Sequence, residues 1–192
     1  MVARGALRDI LSRYLGHRPE QLRFCYGPHG KPALHPAFSA PRVRFNLAHC
    51  EDLALVAVSE AADLGVDIER VRVMPDASQL VMHFFSPRES ATFATLPEAQ
   101  KPKAFFRLWT RKEAWLKATG EGIGQQLSQV EVSFLPDEPA RLLAIPSAFT
   151  HTAWSLADVE PAPGFAGALA VARPEVICRY WIWNQTADAG SS

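Results

Sequence analysis

A chain of 192 residues with 48% hydrophobic and 21% charged side chains has the make-up of an ordinary globular protein, long enough for one compact domain or two small lobes. Twenty basic and twenty acidic residues cancel, which excludes a global field for nucleic acid or an anionic membrane, so any anion site must be local. The longest apolar runs, 53–59 and 165–172, are too short to span a bilayer, no signal-peptide core opens the chain, and Cys25, Cys50 and Cys178 suit a reducing compartment better than a disulfide framework; the expected location is the cytoplasm.

The segment ARGALRDILSRYLG carries Ala6, Leu7, Ile10, Leu11, Tyr14 and Leu15 at helical spacing, with Gly16 as its stop. The stretch YGPHGKPALHPAFSAP is punctuated by Gly and Pro and reads as irregular. VRFNLAHC and LALVAVS read as strands turning at Glu51 and Asp52, and EAADL leads to a third, GVDIE, so that an antiparallel meander is expected. QLVMHFFSPRESATFATL is helical but broken at Pro87, where Ser86 and Glu89 have capping-box spacing. KAFFRLWTRKEAWLKATG predicts a longer helix with Phe105, Leu108, Trp109 and Leu116 inward and Gly120 ending it. VEVSFL, TAWSLA, GALAVA and RYWIWN are strand-like, and ADAGSS reads as a frayed tail.

Within GVDIE, strand alternation puts Val66 and Ile68 on one face and Asp67 and Glu69 on the other, the two acids roughly 7 Å apart at their backbones. Like charges so placed need a cation, unless the face is simply solvated. Glu113 and Lys117 lie four apart on the long helix, continuing the row of Phe105 and Trp109 where it leaves the core. Alone, they are an exposed ion pair worth a few tenths of a kcal/mol. Were Glu113 to join Asp67 and Glu69, three anionic groups with positions left for water and phosphate would suit Mg²⁺. His49 ends a strand-like segment and Lys31 sits in a Gly-Lys-Pro turn; neither says much by itself. Cys50 and His49 are neighbours in a strand and point to opposite faces, which argues against a Cys/His dyad.

In order, GKPAL, FNLAH, LALVAVS, GVDIERV, FFSPRE and WTRKEAWLKATGEGI resemble the 4'-phosphopantetheinyl transferases, in particular the larger, surfactin-type branch, over residues 4–135. The resemblance implies an α+β fold of two lobes related by a pseudo-twofold, each pairing a small antiparallel sheet with a helix. The first would cover 1–63, shortened at its N-terminus, and the second 64–192, with coenzyme A between them. It implies transfer of phosphopantetheine from coenzyme A to a serine of an apo acyl or peptidyl carrier protein by a monomer. Asp67, Glu69 and Glu113 would ligate Mg²⁺, with Glu113 also the base, directly or through water. Lys117 would neutralise the pyrophosphate, Lys31 and His49 would hold the 3'-phosphate of coenzyme A or its neighbourhood, Arg4 matches a basic position beside the coenzyme site, and Ala48 would also contact coenzyme A. Glu89 matches an acidic position near the site, and Arg88, Arg107 and Arg111 are candidates for carrier docking.

Two departures stand out. The family pattern F-N-x-S-H has Ala48 in place of serine, leaving its backbone N–H to donate. Members of this branch carry several dozen residues before the first helix, so the resemblance implies either an upstream start or a shortened first lobe. The rival readings are a catalytically weak protein binding coenzyme A or a carrier, and another Mg²⁺-dependent phosphodiester enzyme. The neutral charge and the lack of a basic, aromatic-interleaved groove weigh against a nuclease.

Overall fold

The computed structural model describes residues 2–27, 30–38, 42–121 and 127–183, with side chains from Gly5 onward. The tail at 187–192 lies outside them. Helix α1 (Val2–Leu15) forms where the spacing predicts; Leu7 and Leu11, one turn apart, are buried. Gly16 closes it at φ 66, its N–H donating to the Ser12 carbonyl at 2.9 Å. The Gly/Pro-rich stretch is less irregular than expected, because β1 (Phe24–Tyr26) and β2 (Pro32–Leu34) form a short hairpin. Pro32 is tolerated at a strand's first residue, where its missing N–H costs little.

β3 (Val43–Cys50) and β4 (Leu53–Glu60) pair antiparallel about Glu51 and Asp52. Val43, Phe45 and Leu47 pack with Leu7, Leu11 and Leu22 on the α1 side. Ala48 and Cys50 face the other way, with Leu53 and Leu55, onto Leu64, Val66 and Ile68 of β5 (Leu64–Arg70). The hairpin therefore lies between α1 and β5.

β5 does not extend a meander. It pairs antiparallel with β9 (Phe165–Val171), which in turn pairs with β8 (Ser155–Val159), giving the order β5-β9-β8. Residues 64–68 are all buried, so β5 needs cover on both faces, which the hairpin supplies on one side and a helix on the other.

α2 (Ala77–Phe84) and α3 (Pro87–Ala94) are separated at the expected proline. Ser86 Oγ accepts from the Glu89 N–H at 3.2 Å and Glu89 Oε2 from the Ser86 N–H at 3.1 Å, completing the capping box. α4 (Lys101–Thr119) ends at Gly120, φ 79. Phe105, Leu108 and Leu116 are buried as expected, Trp109 is half-buried, and Arg111, Lys112 and Glu113 are buried too. α4 packs across β5 and β9 at Gly65, where a Cβ would stand 2.2 Å from the Ala114 carbonyl oxygen and 2.3 Å from the Ala118 nitrogen. Only glycine permits that approach.

β6 (Glu131–Val132) and β7 (Leu142–Ala144) form a minor pair. RYWIWN is not a strand over 179–183; Tyr180, Trp181 and Ile182 are exposed, and Trp183 Nε1 donates to Asp9 Oδ2 at 2.8 Å. Aromatic and β-branched composition marks a surface that fits a sheet but does not supply the partner strand. The architecture is α+β with small antiparallel sheets. Among the described residues, no helix is long and apolar enough to cross a membrane.

Candidate active site

The Gly65 crossing brings β5 and α4 into backbone contact, so the acid face of one meets the last two turns of the other. Lys117 Nζ donates to Asp67 Oδ1 at 2.5 Å, and Lys117 is thus the cation that Asp67 meets. Glu113, one turn earlier, is 2% exposed. Among the described residues, Asp67 Oδ2 and Glu113 Oε1 are buried without a hydrogen-bond partner. Their environment opposes ionisation. Burial pushes Asp67 up to about 6, against the pull of Lys117; burial and then the charge of Asp67 push Glu113 up to about 7. Glu69 raises both from a greater remove.

Glu69 itself leans outward, with Oε2 3.8 Å from Arg72 Nη1 and 3.8 Å from Cys50 Sγ. Asp67, Glu69 and Glu113 are therefore within electrostatic reach of one another. Among the described residues, however, no three His, Cys, Asp or Glu side chains are gathered tightly enough to hold a metal ion by themselves. This arrangement still fits Mg²⁺. That ion keeps several waters and takes one or two protein carboxylates together with substrate phosphate oxygens, and two buried, unpartnered carboxylate oxygens are the corresponding donors.

The remaining expected site residues lie around this centre. Lys31 donates to the carbonyls of Ala118, at 2.8 Å, and Leu64, at 3.3 Å, which commits two of its three N–H bonds to backbone; burial lowers its pKa. A cavity of ≈ 480 Å³ opens beside it, lined by Gly27, Lys31, Leu34, Arg44, Asp63 and Gly120. A larger one, ≈ 770 Å³, lies against Leu64 and Val66 on the opposite face of β5, away from the carboxylates.

His49 is exposed near the end of β3 and, by alternation, shares the face of Phe45 and Leu47. Cys50 points the other way, its Sγ accepting from the Arg70 N–H at 3.2 Å, so the two form no dyad. Ala48 is buried opposite Leu55. The Ala61 N–H donates to the Arg42 carbonyl at 2.7 Å, which places even-numbered β3 residues in bonded pairs and turns the Ala48 N–H into the ladder. The side chain of Arg4 lies outside the described residues.

Glu89 is a structural hub. It is 2% exposed; Oε1 accepts from the Val132 N–H at 3.0 Å, and Oε2 accepts from both the Ser86 N–H and Lys112 Nζ. Lys112 also donates to the Leu127 carbonyl and lies over the Phe85 ring, and burial lowers its pKa. Arg111 is withdrawn from carrier docking: it is fully buried, with Nε and Nη2 on Asp158 at 2.8 and 2.6 Å and a third nitrogen on Ser133. Arg107 bonds the Leu135 carbonyl at 3.1 Å, and Arg88 stays exposed.

Two residues gain weight that sequence reasoning did not give them. Lys112 is legible only as the residue before Glu113, which on a helix faces another direction. Asn46, 4% exposed, accepts from the Val66 N–H at 2.9 Å through Oδ1; its signals were its place in the F-N-x-S-H pattern and a polar residue within an apolar strand.

A strand acid set against an acid and a lysine of a helix, with a second strand acid close by, has the chemistry to meet a cation and an anion together, as phosphoryl-group transfer requires. The family model of the 4'-phosphopantetheinyl transferase superfamily matches residues 63–172, a span that holds β5, α4 and β9, and the chain belongs to that superfamily. It is 44% identical over 169 residues to the 4'-phosphopantetheinyl transferase HetI of Nostoc sp., covering 88% of this chain and 68% of that one. It is 38% identical over 163 residues to the putative 4'-phosphopantetheinyl transferase slr0495 of Synechocystis sp., covering 82% and 63%. It is 24% identical over 169 residues to the 4'-phosphopantetheinyl transferase Sfp of Bacillus subtilis, covering 88% and 71%. The chain thus spans about two thirds of the length of these relatives.

Proposed function

We propose that the protein transfers the 4'-phosphopantetheine moiety of coenzyme A to a serine hydroxyl of an apo acyl or peptidyl carrier protein, releasing adenosine 3',5'-bisphosphate. The observation that carries this reading is the pair of buried oxygens on Asp67 and Glu113, without a partner among the described residues and flanking Lys117, in a chain of this superfamily. Glu113, with its carboxyl near 7, is suited to accept the serine proton, directly or through one water. The serine oxygen then bonds to the phosphorus that carries pantetheine, and the bond from that phosphorus to the 5'-phosphate oxygen breaks. Lys117 lies where its ammonium can turn from Asp67 toward the charge growing on the leaving oxygen. Asp67 and Glu113, with Glu69 nearby, would hold Mg²⁺, which when bound neutralises pyrophosphate oxygens.

The reading divides the chain into two lobes, 1–63 and 64–192, each a helix on an antiparallel pair: α1 on β3–β4 and α4 on β5–β9. It places coenzyme A between them, where the cavity beside Lys31 joins residues of both, with His49 serving the 3'-phosphate end. Arg88, close to exposed Met82 and Phe84 in sequence, suits the acidic helix of a carrier. The protein acts as a cytoplasmic monomer in this account, with Cys25, Cys50 and Cys178 free.

The test is mass spectrometry of apo carrier proteins from fatty-acid, polyketide and nonribosomal peptide systems after incubation with the full chain, coenzyme A and Mg²⁺. A phosphopantetheine mass gain on at least one carrier is expected, abolished by chelator. No gain on any of them overturns the reading.

A further inference from the structure

Among the described residues, β5 is one of the two edge strands of its sheet. Asp63 and Val71 bond across to β9, the Asp63 carbonyl accepting from the Ala172 N–H and the Val71 N–H donating to the Gly164 carbonyl, so odd-numbered residues face that partner. The backbone groups of Leu64, Val66, Ile68 and Arg70 therefore point outward. Such a row ordinarily recruits another strand or stays wet. Here side chains of the preceding segment meet it instead. Lys31 Nζ donates to the Leu64 carbonyl at 3.3 Å, Asn46 Oδ1 accepts from the Val66 N–H at 2.9 Å, and Cys50 Sγ accepts from the Arg70 N–H at 3.2 Å. Asn46 and Cys50 are separated by the same four residues as Val66 and Arg70, so β3 runs parallel to β5 and touches it once every two pleats. The same ammonium of Lys31 donates to the Ala118 carbonyl in the last turn of α4. One side chain thus bonds both elements that bear the acids.

We propose that Asn46 and Lys31 are positioning residues for the acid centre: their side chains, with that of Cys50, take the place of a neighbouring strand along β5 and fix its register against α4, and thereby the placement of Asp67 relative to Glu113 and Lys117. Asn46 is the central member, since its bond is buried and adjoins Asp67 in sequence. Buried as it is, an unanswered Val66 N–H would favour sliding or tilting of β5 over staying in place. A displacement of about 1 Å is enough to cost on the order of a hundredfold in rate at a site that works by alignment.

The kinetic part rests on the transferase reading; the exchange part does not. The experiment compares the full chain with Asn46→Leu, which matches asparagine in shape and lacks the acceptor, and with Lys31→Met. Amide hydrogen exchange of β5 is followed by NMR, alongside steady-state transfer to an apo carrier. In Asn46→Leu, the Val66 amide is expected to exchange roughly tenfold or more faster, while Gly65 and Asp67, bonded to β9, keep their protection. The value of kcat is expected to fall about 10- to 100-fold with the KM for coenzyme A within about threefold of wild type. Lys31→Met should lower kcat in the same sense, and it carries the test where Asn46→Leu does not fold. An unchanged Val66 exchange rate, or a folded variant with wild-type kcat, overturns the proposal; so does uniform loss of protection along β5, the mark of general destabilisation. A wild-type chain that loads no carrier defeats the transferase reading, while the pattern of Val66 against Gly65 and Asp67 still decides the edge proposal.

Discussion

Helix α4 serves two acid–base clusters from adjacent residues, and they are built to opposite specifications. Lys112 points into the cluster around Glu89, where both carboxylate oxygens are occupied by two backbone N–H groups and an ammonium. Glu113 points into the cluster with Asp67, where among the described residues each acid keeps one buried oxygen without a partner and both carboxyls are held above their ordinary range. Burial is nearly the same in the two places; satisfaction is not. A buried acid with all its bonds made serves the fold; the indole N–H groups of Trp115 and Trp154 are also left short among the described residues, but only at Asp67 and Glu113 do two such groups belong to neighbouring acids, which suits a cation or a proton that arrives later.

The contrast can be broken from either side. Glu113→Gln is expected to lower transfer about 10²- to 10⁴-fold while leaving the thermal midpoint unchanged or raised in the absence of ligand, since it removes a buried like charge. Turnover near wild type would remove Glu113 from the chemistry. Lys112→Met should do the reverse in kind. It leaves Glu89 buried without its cation and should cost about 3–5 kcal/mol of stability by denaturant titration, with any remaining folded protein still able to bind Mg²⁺. A small stability change would mean that Glu89 does not need the pair.

The smallest effect is in pH. In the metal-free protein, Asp67 and Glu113 have folded pKa values of about 6 and about 7, above the unfolded carboxylate value of about 4. The folded state then binds protons more tightly than the unfolded one. This contribution to stability is fully present below about pH 4 and is lost as the pH rises through 6 and 7. Thermal melts between pH 5.5 and 8 should show the wild type losing stability relative to an Asp67→Asn, Glu113→Gln double variant, by about 1.4 kcal/mol for each pH unit of that range lying below a folded value, about half a unit for Asp67 and about one and a half for Glu113. Parallel curves would show that the two carboxyls titrate normally.

What could be read in the sequence was what depends on near neighbours along the chain. Pro87 with Ser86 and Glu89, Gly16 and Gly120 at helix ends, and the hairpin about Glu51 and Asp52 are all local, and each is found. The shared face of Asp67 and Glu69 and the shared side of Glu113 and Lys117 were legible as two periodicities, two for the strand and four for the helix. Pairings across distance were not. Nothing within GVDIE distinguishes β4 from β9 as its partner, a hundred residues further on, and the apolar residues on its other face are what exclude a simple meander. Arg111 looked like a surface cation because Asp158, which buries it, is 47 residues away. Lys31 sits in a turn that reads as solvated until the end of α4 is folded against it.

Gly65 carries one more consequence. At the crossing with α4, main chain rests on main chain, with no side chain in between to bend, rotate or be repacked. The distance between strand and helix where Asp67 and Lys117 meet is therefore gauged by the thickness of two backbones, while the register of one along the other is left to the side-chain bonds at the edge of β5. The first letter of GVDIE sets the ruler by which the acids after it are placed.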